Sequence, residues 1–297
     1  MKIYPNVKVP TLLLGLVFAS AALVGCKKKE EPATGGAAPA AQVEQKAITI
    51  KGSDTMVTLG QRWAEVYMQK NPNAVVQVTG GGTGTGISAL INGTTDICQA
   101  SRKMKEKEQK LMAEKHGGAA VEIEVARDGL AIYVNNASKV EELSFAQLKD
   151  IFKGTITNWK DVGGSDAPIV VYSRENSSGT YEFFKETVLG GDDFAATAQT
   201  MPGTAAVVNA VSKEANSIGY GGAAYSTGIR SLKVKKEPTG VAVAPNAETV
   251  KDGTYPLARP LQIYLLKAPE GALKAFTDWV KGPEGQKLVT EVGYYPI

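Results

Sequence analysis

Two segments concentrate the side-chain chemistry of this chain: Gly80-Gly-Gly-Thr-Gly-Thr-Gly86 and Ser173-Arg-Glu-Asn-Ser-Ser-Gly-Thr180. Glycine lets a backbone approach a ligand closely, and the N–H groups and positive dipole end of a helix start favour an anion. The second segment adds hydroxyls and Arg174, whose planar guanidinium fork suits a tetrahedral oxyanion. Gly52-Ser-Asp-Thr55 is a third segment of the same kind. Each alone has a plain structural reading: a flexible turn, a capped helix with a surface arginine, an N-cap. The glycine run is neither a P-loop, since no Gly-Lys-Ser/Thr follows, nor a GxGxxG, since the residue three past Gly84 is Ile87. Three hydroxyl-rich strand-to-helix junctions together point to one anion site.

Strands and helices must alternate to place them there. Ala47–Lys51 and Val75–Thr79 read as short strands, and Leu59, Trp63, Val66 and Tyr67 mark one face of a helix that stops at Asn71-Pro72. Leu130–Val134, Ile169–Tyr172 and Leu261–Leu266 are further strands. Ser144 reads as an N-cap ahead of Phe145, Leu148, Ile151 and Phe152, and a helix runs through Tyr181, Phe184 and Lys185. Ala272–Val280 and Glu284–Val292 are helical. Repeated strand-then-helix order argues for α/β lobes with mostly parallel sheets.

The scarce residues exclude much of enzyme chemistry. Among 297 residues there is one histidine, His116, and two cysteines, Cys26 and Cys98. A zinc site of several Cys and His ligands cannot be assembled, no metal or cofactor is expected, and a Ser-His-Asp triad would have to use His116. Lys+Arg 33 against Asp+Glu 30 lacks the basic excess of a nucleic-acid binder. The length suits about two domains.

The N-terminus reads as an address. Lys2 and Lys8 precede an apolar run from Thr11 to Gly25, too short for a spanning helix of about 20 residues. It ends in Leu23-Val-Gly-Cys26, which resembles a bacterial lipobox, with Cys26 acylated as the first mature residue; the plain alternative is an ordinary signal peptide with an incidental cysteine. Residues 1–25 are thus a signal peptide and 26–46, small, polar and proline-containing, a disordered tether reaching about 70 Å when stretched. With Cys26 acylated, Cys98 has no intrachain partner.

The segments named above, in order, resemble the PstS-like phosphate-binding lipoproteins of phosphate ABC importers. The carrying motifs are Gly52-Ser-Asp-Thr-Met56, the Gly80–Ile87 turn, Thr95–Arg102, Arg127-Asp-Gly-Leu130, Ile151–Trp159 with Gly163-Gly164, and Arg174–Thr180. They span essentially all of the chain from Ile48 to Ile297. This resemblance implies a two-lobed periplasmic-binding-protein fold of type II, with mixed sheets flanked by helices and two hinge crossings. It places lobe 1 at residues 47–126 plus 230–297 and lobe 2 at 127–229. It implies binding of inorganic phosphate in the cleft and delivery to the permease subunits of an ABC importer by a monomer held to the membrane through Cys26. By correspondence, Ser53, Thr55, the Met56 amide, Thr83, Ser101, Arg102, Arg174, Ser178, Gly179 and Thr180 meet the anion. One departure concerns Arg102, which stands where the best-known members carry an aspartate that accepts a proton from phosphate.

The missing acceptor leaves three aspartates in the matched segments. Asp96 points to structure, Asp54 also fits a helix N-cap, and Asp128, at the first expected hinge crossing, is the preferred candidate. Two other functions stay open: an exported serine hydrolase or phosphoesterase using Ser177 or Ser178, and a binder of another tetrahedral oxyanion. Arg102 can also be a solvated helix start, His116 an exposed helix end, Cys98 a buried small hydrophobe, and Trp63, Phe152, Trp159 and Trp279 packing residues.

Overall fold

A computed structural model describes residues 46–297. The expected signal peptide, Cys26 and all but the last residue of the tether lie outside the described residues. The order begins β1 (Ile48–Gly52), α1 (Val57–Lys70), β2 (Val76–Thr79), α2 (Thr83–Ile91), β3 (Ile97–Ala100), α3 (Glu106–His116) and β4 (Val121–Val134). It continues with β5 (Glu142–Ser144), α4 (Phe145–Lys153), β6 (Val170–Arg174), α5 (Gly179–Thr187), β7 (Gln199–Met201), α6 (Gly203–Lys213), β8 (Ser217–Gly222) and β9 (Arg230–Lys235). α7 (Ala247–Lys251), β10 (Ala258–Leu265), α8 (Gly271–Lys281) and α9 (Pro283–Val292) complete it.

Local sequence explains the better-marked elements. Leu59, Trp63 and Tyr67 fall four apart and are buried on one face of α1, which ends before Pro72, a residue that cannot donate to a continuing helix. The Ser144 side chain accepts from the Gln147 N–H at 3.2 Å, as its N-cap reading requires. Gly154, at φ +80°, terminates α4 in a left-handed conformation open to glycine.

The strand order is β2-β1-β3-β10-β4-β8-β6-β7, with β9 beside β4 and β5. Pairings on the flanks are parallel, whereas β10 with β3, β10 with β4, β4 with β8 and β4 with β9 are antiparallel. The expectation of mostly parallel sheets therefore gives way to a mixed one. Its cause is β4, which serves both lobes. Its first stretch pairs with β10, up to Gly129 opposite Ala258, and Leu130–Val134 then pairs with β8.

The return crossing differs from the expected residue 230. β9 pairs with Ile132–Val134 and with β5, and Val250, Tyr255 and Leu257 pack in the second lobe's core. The chain stays with that lobe through Leu257 and comes back in β10. Each lobe has its own apolar centre: Ile50, Leu59, Trp63, Ile263 and Phe276 in the first, Leu130, Phe152, Phe184, Tyr220 and Leu232 in the second. Full burial of such a side chain contributes about 1.5–3 kcal/mol, so the lobes are held internally by apolar packing. Polar side chains of both meet between them.

Candidate anion-binding site

Four strand-to-helix junctions converge on Gly179. A Cβ added there would sit 2.4 Å from the Thr83 Oγ1 and 2.7 Å from the Ser101 Oγ, so only glycine lets the start of α5 come this close to the first lobe. The hydroxyls form two linked groups. Ser53 donates to Ser101 at 2.9 Å, and the Thr83 Oγ1 lies 3.5 Å from the Ser101 Oγ while accepting from the Ser101 N–H at 3.1 Å. Thr55 and Thr180 share a 2.8 Å hydroxyl hydrogen bond across the two lobes. All five are buried. Ser178 caps α5, its Oγ accepting from the Tyr181 N–H at 3.3 Å.

The glycine turn reaches across as well. Gly84 donates its N–H to the Ser177 carbonyl at 2.9 Å, and a Cβ on Gly82, which has φ +89°, would lie 2.5 Å from that same oxygen. The Gly80–Gly86 run and the Arg174–Thr180 segment, separate in sequence, are one contact surface.

Two guanidiniums bracket the hydroxyls. Arg174, at the end of β6, is 1 % exposed and donates to Asp54 at 2.9 Å, to Glu175 at 3.1 Å and to Thr204 at 3.0 Å. Asp54 also accepts from the Gly81 N–H at 2.8 Å. Arg259 was not singled out from sequence. Its Nε and Nη2 donate to one Asp128 oxygen at 3.0 and 2.8 Å, its Nη1 to the Ser101 carbonyl at 3.1 Å, and Nη2 also to Thr180 at 3.0 Å. The other Asp128 oxygen accepts from the Ala223 N–H at 3.2 Å. Burial, with the Asp128 charge next in effect, pushes the Tyr133 and Tyr294 hydroxyls well above the usual tyrosine range. They remain donors, to the carbonyls of Gly222 and Thr55 respectively.

Most of the residues expected from sequence meet here: Ser53, Thr55, Thr83, Ser101, Asp128, Arg174, Ser178, Gly179 and Thr180. Two do not. The Met56 N–H donates to the Ser53 carbonyl at 3.0 Å, closing the turn, and its side chain is wholly buried in the first lobe's core. Arg102 turns away from the hydroxyls and forks onto Glu108 of α3, with both contacts at 2.8 Å. That leaves it lining the rim with Lys105, Ser177 and Glu182. Burial would raise the Glu108 carboxyl, but the Arg102 hydrogen bonds, the Lys105 N–H and nearby cations outweigh it and hold it below the usual range. Asp96 is structural, as expected. Its carboxylate accepts from the N–H and hydroxyl of Thr49 at 2.9 and 2.8 Å. Burial there opposes ionisation, yet these bonds and Lys46 keep the group below its ordinary value.

The remaining candidates behave as ordinary parts of the fold. His116 ends α3 in the open, its Nε2 2.8 Å from the Ile91 carbonyl. Cys98 is a buried free thiol whose ionisation burial opposes. Trp63, Phe152 and Trp159 are buried in the cores. Among the described residues there is no group of His, Cys, Asp and Glu side chains that could hold a metal ion, and no helix is long and apolar enough to cross a membrane.

The chain is similar to known proteins. A PBP superfamily domain matches residues 34–284. The chain is 34 % identical over 282 residues to the phosphate-binding protein PstS of Pseudomonas aeruginosa, covering 87 % of each chain. It is 31 % identical over 293 residues to PstS of Bacillus subtilis, covering 98 % of this chain and 94 % of that one. Among solved structures it resembles a putative phosphate ABC transporter substrate-binding protein with bound phosphate from Clostridium perfringens, at 30 % identity and TM-score 0.76, covering 85 % of this chain and all of that one. An ABC-type phosphate transport receptor from Vibrio cholerae is similar at 32 % identity and TM-score 0.68, covering 84 % of this chain and all of that one.

Proposed function

The chain belongs to the PBP superfamily and, within it, to the family of the PstS phosphate-binding proteins, and on that basis we propose that it captures inorganic phosphate between its lobes and delivers it to the permease subunits of a phosphate ABC importer. The observation that carries this reading is the meeting of buried hydroxyls from both lobes around Gly179, between two guanidiniums. Such a set gives a tetrahedral oxyanion donors from several sides, and charge-assisted bonds to arginine are the strong ones among them. Ser53, Thr55, Thr83, Ser101, Ser178, Thr180 and the start of α5 supply neutral donors, and Arg174 the charge. Discrimination against sulfate is assigned to Asp128, with Asp54 the next carboxylate to test. Near neutral pH phosphate keeps at least one proton and sulfate none, so the balance of charge that Asp128 sets beside the anion separates the two.

The protein acts in this reading as an exported monomer, anchored by an acyl lipid on Cys26, that closes like a clamshell on its ligand. A hydrolytic role for Ser177 or Ser178 finds no support. Ser178 is occupied as a helix cap, and the sole histidine bonds the Ile91 carbonyl at the end of α3. Titration calorimetry of the mature domain with phosphate, sulfate, arsenate and molybdate tests the reading. One saturable phosphate site without phosphoester turnover is expected, with compaction visible by small-angle scattering. Absence of phosphate binding overturns it.

A further inference from the structure

We propose that Arg259 is a second anion-facing guanidinium of this cleft, and that Asp128 governs ligand choice through it. The proposal rests on the phosphate-capture reading above and adds a residue that the resemblance does not assign.

The position of Arg259 is unusual for a structural arginine. It stands directly opposite Asp128 in the β4–β10 ladder, where the chain passes between the lobes, and its side chain is 2 % exposed. Its guanidinium joins the two hydroxyl groups: Nη2 reaches Thr180, which is bonded to Thr55, and Nη1 reaches the carbonyl of Ser101, which is bonded to Ser53. An anion oxygen that accepts from the Thr55–Thr180 hydroxyl pair is therefore linked to Nη2 through Thr180. The same guanidinium packs 5.3 Å from the ring centre of Phe183 on α5, so the second lobe covers it.

Stability does not account for the pair. Burying two charges costs as much as their attraction returns, and well-packed neutral residues in their place are often as stable or more so. A buried arginine retained beside hydroxyls that face an anion has instead a use for its charge. Asp128 balances that charge and fixes the fork. Remove the carboxylate and a bare cation remains beside the ligand, which favours sulfate, the anion that carries no proton. Asp128 is a positioning residue in this account, and Arg259 a binding one.

Four proteins separate the possibilities: the wild type, Arg259→Gln, Asp128→Asn and the double variant, each titrated with phosphate and with sulfate. Arg259→Gln is expected to weaken phosphate binding about ten- to a hundredfold, the loss of a charged hydrogen bond. The double variant, a neutral pair of similar size, is expected to fold and to remain equally weak. It decides the matter alone if Arg259→Gln does not fold. Asp128→Asn should raise sulfate affinity relative to phosphate, and the same change made on Arg259→Gln should leave that ratio unmoved. A double variant that binds phosphate like the wild type reduces Arg259 to a structural partner and overturns the proposal. So does a ratio that shifts equally without Arg259, since Asp128 would then act on the ligand directly. A wild type that takes no phosphate overturns the functional reading as well, and that arm is read before any variant.

Discussion

The two buried arginine–aspartate pairs of the cleft are built to different plans. Arg259 and Asp128 are neighbours across one ladder, on the two strands that join the lobes, and Asp128 is wholly buried. Arg174 and Asp54 are 120 residues apart, one at the end of the second lobe's β6 and the other in the turn just before the first lobe's α1, and the Asp54 side chain is 18 % exposed. The first pair depends only on the sheet. The second exists only while the lobes touch. A hinged binding protein gains from both kinds, a fixed charge at the pivot and a conditional one at the moving edge.

Breaking each pair tests that contrast. Asp128→Ala leaves a buried guanidinium without its counter-charge and is expected to cost about 3–5 kcal/mol of folding stability. Asp54→Ala should cost no more than about 1 kcal/mol, since Arg174 keeps Glu175 and Thr204 as acceptors. Urea midpoints of the two variants give the comparison directly, and equal losses would remove the distinction. In ligand binding Arg174→Ala should cost more than about 2 kcal/mol, because an anionic oxygen is left unpaired, with Arg174→Lys recovering only part for want of the fork. Calorimetry with phosphate reads both, and an unchanged affinity takes Arg174 out of the site.

Smaller effects belong to the rim. Glu108 is held below its ordinary 4.5 in the folded protein, so its contribution is complete above the usual glutamate range and disappears as pH falls through the depressed value. Glu108→Gln should therefore lose about 1–2 kcal/mol at pH 7 and progressively less as the pH is lowered below 4.5, measured by denaturant unfolding across that range. Lys105 and Glu182, 2.6 Å apart between α3's cap and α5, form a partly exposed tie between the lobes. Lys105→Ala should cost under about 1 kcal/mol, weakening phosphate by no more than a few-fold, and 1 M salt should erase the difference.

Much of this cleft is legible in the residues because its parts are local. Strand-to-helix junctions with glycine and hydroxyls announce themselves at Gly52–Thr55, Gly80–Gly86 and Arg174–Thr180, and each is where the structure puts it. Arg259 is not local. It lies in Ala258-Arg-Pro-Leu261 without a glycine or hydroxyl nearby, and only strand register sets it opposite Asp128. The available signal was a charge two residues ahead of the largely apolar Leu261–Leu266 run. Arg102 misled for a related reason. Its place beside Ala100-Ser101 is correct, but Glu108, six residues on, captures the side chain once α3 forms. The resemblance put the second crossing at residue 230, but Arg230–Lys235 alternates polar residues with Leu232 and Val234, the signature of a strand. In the fold it is the strand beside Leu130–Val134, with Leu232 and Val234 turned into the core.

The position of β10 has a consequence for how the molecule is made. It lies between β3 and β4, yet it is reached more than a hundred residues after β4. A chain emerging from its N-terminus thus presents β3 and β4 with no strand to join them until the whole second lobe has followed. The second lobe closes on contacts nearer in sequence and can form as a unit. The first has two unpaired strand edges during that interval, the kind of surface that invites wrong pairing. Its completion is a late, long-range event, and such closures are slow. Assembly of the binding cleft therefore waits on the last stretch of the polypeptide, and mutations that weaken β10 should show first as poor yield and aggregation, before any loss of affinity.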